Sequence, residues 1–443
     1  MQYSKTNNLD AHLLKGASIS FLVQLGFAGL SFLNSVVMAR LLGVDGFGAF
    51  ANAMAWVAIL PSAFGFDILI VREVAILVTR QDWPLLKGLL RFTNYFVVLF
   101  SLLIACIAFF AARSIFALPE QATMNFTLMA ALPLIMLTAL ENLQSSALRG
   151  FGQILYATVP GMIIRPGMLL AAILTLHFFW PTYLNASSAM LLNGLVFAVN
   201  IAIDFFWLNK VLPNQAKSST AAYQVNKWVL SALPLLVYGG MQIILGQVDI
   251  AMLGALRSSN EAGLYAVSSR LATLLGYTLF AAEMILAPTI AKMFANGEME
   301  KLQLGLTRAI RAAFLLVLPI GLGFIIWGKP ILAIFGPKFE GSYQMLVVLV
   351  FGRLAHVFLG SGAVVLSMTG HERTVALTVF IAGVMNILFN ALVIPVYGLM
   401  GTALVSAGSL ILMRLALSYL ALRKTGLNCT FLGNISLLKQ STR

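Results

Sequence analysis

The chain has 443 residues, of which 60% are hydrophobic and 10% charged, and its mean hydropathy is +0.93. Soluble domains carry roughly 25% charged residues, and no soluble core hides this much apolar surface, so a water-soluble enzyme, a disordered chain and a secreted disulfide scaffold are excluded. The net charge is +13, from 28 Lys and Arg against 15 Asp and Glu.

A membrane helix needs about 20 apolar residues, and the apolar fraction suffices for about twelve. The apolar runs are continuous rather than alternating, which excludes a β-barrel. In chain order the predicted spans are 16–39, 48–70, 92–112, 123–147, 158–180, 187–209, 228–252, 263–287, 309–331, 343–368, 374–395 and 398–422. The expected class is therefore an all-α integral membrane protein. The first run is too long for a signal-peptide core, and no small-residue cleavage site follows it, so it reads as a retained helix.

Twelve spans place both termini on one side. Nineteen of the 28 basic residues then fall in segments on that side, among them Lys5, Lys15, Lys439 and Arg443. Five, including Arg113, fall on the other side, and four lie inside spans. The positive-inside rule makes the richer side cytoplasmic. It also explains the basicity without a nucleic-acid partner. The outer connections, such as 181–186, are too short for an extramembrane catalytic domain, while the polar, Ser-rich stretch 210–227 reads as a linker between halves.

The chain also repeats itself. VVMARLLGVDGFGAFANA (36–53) matches IAMLGALRSSNEAGLYAVSS (250–269), aligning Gly48-Ala49-Phe50 with Gly263-Leu264-Tyr265. ALRGFGQ (147–153) matches SMTGHER (367–373), and Asp67 matches Glu283. Offsets of 215 to 220 predict a duplicated six-helix unit, with one lobe over 1–214 and the other over 215–443. An even number of helices gives both copies the same orientation, as in alternating-access transporters.

MARLLGVDGFGAF (38–50), FGFDILIVREVA (64–75), ALRGFGQ, VDIAMLGAL with EAGLYAVSSRL (248–271) and the stretch 366–404 resemble the Wzx-type oligosaccharide flippases. These belong to the multidrug/oligosaccharidyl-lipid/polysaccharide exporter superfamily. The resemblance implies two pseudo-symmetric six-helix bundles of the MATE-like fold around a central cavity. It implies a transporter, not an enzyme, that carries an undecaprenyl-diphosphate-linked oligosaccharide from the cytoplasmic to the periplasmic leaflet of a bacterial inner membrane. The implied partners are that lipid-linked substrate, membrane lipids and glycan polymerase or ligase machinery, and a monomer is sufficient. Two rival readings stay open. One is a cation-coupled drug exporter of the same superfamily. The other, a membrane-embedded glycan polymerase or acyltransferase, is disfavoured by the short outer loops.

Ionisable residues inside spans are functional candidates. Arg353 lies mid-span, with His356 three residues on and so on the same helical face. Arg offers a fixed fork of donors that suits a diphosphate, and His356 adds a hydrogen bond, a pH response or simply a satisfied core group. Arg270 and Arg165 lie about two turns inside their helices, so cavity lining and snorkelling to the headgroups are both open. Arg414, nearer an inner helix end, suits snorkelling, and His177 an interface. The acids Asp249, Asp67, Glu283, Asp204 and Glu141 are candidates for ion coupling or for structural ion pairs. Asp67 with Arg72 and Glu73 suggests an inner-face charge lock. Asn200 with Asp204, and Asn386 with Asn390, share faces at i, i+4. Pro133, Pro166, Pro234 and Pro319 are candidate kinks. There is no Walker A sequence, and four His with two Cys (Cys106 in an apolar run, Cys429 in the polar tail) give no metal-ligand spacing and no expected disulfide. No cofactor is expected.

Overall fold

The computed structural model describes residues 2–62, 66–115 and 122–433, apart from the side chains of 2–22, 62, 112–115, 122, 234 and 238. Lys439 and Arg443 lie outside the described residues, as do the side chains of Lys5, Lys15, Arg113 and Pro234. The described chain is helical and contains no strand: α1 (Gln2–Ser62), α2 (Phe66–Arg80), α3 (Trp83–Ile115), α4 (Ala122–Gly150), α5 (Ile154–Val159), α6 (Arg165–Phe179), α7 (Ala186–Val211), α8 (Asn214–Ser218), α9 (Val225–Leu256), α10 (Ser259–Ala295), α11 (Met299–Ile326), α12 (Gly328–Ala333), α13 (Tyr343–Leu359), α14 (Gly362–Met368) and α15 (Glu372–Thr425). A π-helical turn, Pro160–Ile164, joins α5 to α6.

Ten helical stretches among the described residues are long and apolar enough to cross a bilayer. In two of them a single unbroken run of helix contains one non-helical glycine. In α1 it is Gly43 at φ 70°, and in α15 it is Gly398 at φ 51°, conformations that glycine adopts without the steric cost a Cβ would bring. At Gly398 the chain folds back on itself. A Cβ on Gly401 would strike the Val393 side chain, eight residues earlier, whereas eight residues of straight helix span about 12 Å.

The chain forms two compact units, one over Leu22–Gly263 and the other from Leu264 onward with the N-terminal residues up to Phe21. The first unit runs past residue 214 to take in α8 and α9. The reason is packing: Trp228 and Ala232 of α9 join Phe66, Leu69, Leu86, Leu89 and Leu148 in one buried core. The segment between α7 and α9 is docked rather than loose. Lys87 of α3 donates to the Lys217 and Ser219 carbonyls, the Ala222 amide donates to the Pro84 carbonyl at 2.9 Å, and Gly88 lies against the Ala222 carbonyl with no room for a Cβ. Within this unit the two glycines aligned by the repeat also meet. A Cβ on Gly48 would strike the Ser259 carbonyl, and one on Gly263 the Val44 carbonyl. Beside them Asn52, fully buried, donates its amide to the carbonyls of Ile250 (2.7 Å) and Ala251 (3.0 Å).

In the second unit α13 and α14 are parts of one span interrupted at Gly360, φ 72°. A strap formed by 427–433 packs on this break. The Phe431 amide donates to the Phe358 carbonyl at 2.8 Å, and the Ser418 hydroxyl to the Leu359 carbonyl at 2.7 Å. Arg311 donates to the Phe431 and Leu432 carbonyls. Gln303 and Asn428 bond reciprocally, at 2.9 and 2.8 Å, and the Phe431 ring stacks on Phe358. Cys429, in a stretch that reads as polar tail, is fully buried under this strap, and burial pushes its thiol up to about 12.

Gly360 has both a positive φ and the Cys429 carbonyl where a Cβ would go, whereas Gly370 has a positive φ of 80° and open space. Gly370→Ala is expected to cost about 1 kcal/mol and Gly360→Ala at least twice that, read as thermal unfolding midpoints in detergent. A thiol titrating near 12 holds almost no thiolate at pH 8, and thiolate is the nucleophile. In a Cys106→Ser background, maleimide is therefore expected to label Cys429 only after denaturation in SDS. Rapid labelling of the native protein would show that the strap is not docked.

Candidate functional site

The most completely bonded in-span polar cluster of the first unit is built on α4, α6 and α7. Arg165 Nη1 lies 2.7 Å from Glu141 Oε2. The Asn200 amide donates to Glu141 Oε1 at 3.0 Å and to Asp204 Oδ2 at 3.4 Å. The Arg165 guanidinium also sits 4.4 Å above the Phe197 ring. The local sequence explains the placement. The π turn ends at Ile164, and Pro166 cannot donate a backbone hydrogen bond. Gly161, within the π turn, leaves room for Glu141, since a Cβ there would lie 2.9 Å from Oε1. Asn200 and Asp204, spaced i, i+4, face Glu141 together. Both are buried, at 0% and 1% exposure, and Asn200 Oδ1 and Asp204 Oδ1 have no protein partner. The cluster thus holds two carboxyls, one guanidinium and two unoccupied acceptor oxygens.

The second unit holds the other arginines. Arg353 of α13, half-buried, donates to Thr273 Oγ1 of α10 at 3.2 Å. A Cβ on Gly276 would lie 3.8 Å from its Nη1, so the guanidinium lies over the Thr273–Gly276 stretch. Arg270 is exposed one turn before Thr273 on the same helical face. His356 is buried, within electrostatic reach of Arg353 and Arg414, and its Nδ1 has no hydrogen-bond partner. Arg414, expected to snorkel, instead has its Nε and Nη1 buried, with Nη1 3.8 Å from Glu283 Oε1.

The remaining candidates are dispersed. Arg72 pairs with its neighbour Glu73 at 2.9 Å, half exposed, and Asp67 does not join that pair. Asp67 instead lines a separate pocket with Asn142. Asp249 is buried on α9. Glu141 and Asp204 are brought together, while Glu283 belongs to the other unit. Among the described residues no group of three or more His, Cys, Asp and Glu could hold a metal ion. Sequence reasoning missed Thr273, Asn142 and Asn52. Their only signal was a polar residue inside an apolar run.

A family model described as "Polysaccharide biosynthesis protein" matches residues 13–294. Among curated proteins, the chain is 21% identical over 412 residues to an uncharacterized membrane protein of Methanocaldococcus jannaschii, covering 88% of this chain and 80% of that one. It is 21% identical over 403 residues to the probable low-salt glycan biosynthesis flippase Agl15 of Haloferax volcanii, covering 87% and 79%. Among solved structures it resembles the inward-facing conformation of a multidrug resistance MATE family transporter of the MOP superfamily, with TM-score 0.74, 15% identity and coverage of 94% and 96%. It also resembles the lipid II flippase MurJ in its inward closed conformation, with TM-score 0.70, 15% identity and coverage of 90% and 87%. The fold is that of these transporters.

Removing one partner of a buried ion pair strands the other charge. Arg165→Met is expected to lower stability by about 3 kcal/mol. The Arg165→Met/Glu141→Gln double variant should recover most of that loss in a double-mutant cycle of thermal midpoints.

Proposed function

Because the chain belongs to the polysaccharide biosynthesis protein family, we propose that it is a Wzx-type flippase, a transporter rather than an enzyme. It moves an undecaprenyl-diphosphate-linked oligosaccharide from the cytoplasmic to the periplasmic leaflet of a bacterial inner membrane. In this reading the breaks at Gly43 and Gly398 are turns between crossings, so the ten apolar stretches give twelve spans with both termini in the cytoplasm. The repeat divides them into lobes 1–214 and 215–443 that alternate access. A monomer suffices, and the substrate comes from and passes to glycan-assembling enzymes.

The observation that carries the proposal is the hydrogen bond from Arg353 to Thr273, which lies one turn after Arg270 on the same face of α10. A lipid diphosphate loses water as it moves into the bilayer. Two guanidiniums beside a hydroxyl replace that hydration with donors whose charge cannot be titrated away, and His356 stands ready to add a hydrogen bond. The Glu141–Arg165–Asn200–Asp204 cluster suits coupling. Its two carboxyls exceed its one guanidinium by one negative charge, which in a low-dielectric setting calls for a proton or a monovalent cation. The MATE and MurJ likeness supports the fold of such a carrier, and the Haloferax relative supports the glycan class.

In proteoliposomes, translocation of a fluorescent polyprenyl-diphosphate sugar is expected to fall ten- to a hundredfold in Arg353→Ala or Arg270→Ala. That is the range for losing a charge-assisted hydrogen bond of about 1.5–3 kcal/mol. Arg353→Lys should keep an intermediate rate. Full complementation of a flippase-null strain by Arg353→Ala would remove Arg353 from the substrate path, and product of altered chain length would indicate an enzyme.

A further inference from the structure

Within the first unit lies a cavity of about 300 Å³ whose lining carries no ionisable residue. That volume is at the lower end of the range for small-ligand sites. Three helices wall it with one and the same spacing. α1 contributes Ala53, Trp56, Val57 and Leu60, at i, i+3, i+4 and i+7, and α3 and α4 present stripes of that spacing that begin at Ile104 and Leu128. Ala255, one residue before the end of α9, completes the lining. Each stripe covers about 10 Å of helix, so the cavity is a slot that runs with the helices. Apart from Trp56 its side chains are Ala, Val, Leu and Ile, which cannot give a water the two or more hydrogen bonds it needs. Left void, the walls forfeit their dispersion contacts. The slot borders lipid. Ile107 and Ala111 of α3 line it and are exposed, and they adjoin the exposed stripe of Leu99, Leu103 and Phe110 on the same helix. Its occupant therefore enters sideways from the hydrocarbon and is itself a hydrocarbon chain.

We propose that this slot binds a segment of the polyprenyl chain of the transported lipid in the outer half of the bilayer. The proposal rests on the flippase reading above. A chain that leaves lipid for an apolar slot gains nothing from the hydrophobic effect, so fit decides which chain is held. Alanines at 53, 108, 111, 131 and 255 leave recesses between the larger Leu and Ile side chains. The methyl branches of an isoprenoid fill such recesses, and a straight acyl chain leaves them void. The depth follows from the twelve-span topology. All the lining stripes lie within twelve residues, about 18 Å, of the ends of their spans that face the periplasm. That is the outer half of a bilayer about 40 Å thick with its headgroups. The slot then takes the chain once the headgroup has crossed, and it holds the product until the chain slips back into the outer leaflet.

The test uses two photoactivatable lipids in proteoliposomes, a polyprenyl phosphate and a phosphatidylglycerol, each with a diazirine in its chain. At equal mole fraction the polyprenyl lipid is expected to label segments 104–111 and 128–135 about fivefold more than the phospholipid does, the factor for about 1 kcal/mol of added carbon contacts. Ala108→Phe and Ala131→Phe fill the slot from α3 and from α4, and each should bring polyprenyl labelling of these segments down to the phospholipid level. Ala111→Leu, at the exposed mouth, should halve it without disturbing the packed wall. Labelling at the exposed Leu315 and Leu316 of α11 should stay unchanged in all three variants, which reports their folding. Equal labelling by the two lipids, or polyprenyl labelling that no filling variant lowers, overturns the chain site. Translocation of a polyprenyl-diphosphate sugar by wild-type protein without labelling in the slot also overturns it and spares the flippase reading. Selective labelling of the slot without translocation overturns the flippase reading and leaves the slot a polyprenyl site.

Discussion

Lipid offers no hydrogen bonds, so every polar group that the chain carries into the membrane must find its partner inside the protein or face a water-filled cavity. The structure is organised around that constraint. Where the backbone departs from helix at Gly360, the freed carbonyls of Phe358 and Leu359 are met by the Phe431 amide and the Ser418 hydroxyl. The strap is therefore part of the fold. Its polar residues are not solvated but matched, since Gln303 pairs with both the amide and the carbonyl of Asn428. The same rule explains Asn52, buried at the close approach of α1 to α9, where it donates to two carbonyls.

With lipid as apolar as leucine, there is no hydrophobic gain in pressing one helix on another, and close backbone approach has to supply dispersion contacts instead. Gly48 against Ser259 and Gly263 is such an approach, as is Gly254 against Asn52. The glycines aligned by the repeat are thus in contact with each other, which gives the sequence similarity a packing cause. A side chain at either position would part the helices.

The spans were legible because hydropathy is a property of each segment alone. The runs predicted at 374–395 and 398–422 correspond to the two parts of α15 on either side of Gly398. The same holds for Asn200 and Asp204, whose shared face follows from helical spacing. What escaped the sequence were pairings across distance. Nothing local to Arg165 announces that its carboxylate is Glu141, 24 residues back and on another helix. Cys429 stands in a stretch of Asn and Thr that reads as solvated tail, yet it is buried because its polar neighbours bond to a helix 125 residues away. Asn142 reads in the sequence as one more polar residue in an apolar run, and only the fold brings it to the same pocket as Asp67 of α2.

The arginines inside the membrane separate by the chemistry of their neighbours. Arg165 is held by a carboxylate at hydrogen-bond distance and capped by a ring, so its charge is committed within the protein. Arg414 lies near Glu283. Arg353 is oriented by a neutral hydroxyl instead, with Arg270 exposed one turn away. The chain thus holds one membrane arginine on a carboxylate, Glu141, and hydrogen-bonds another to a hydroxyl, Thr273.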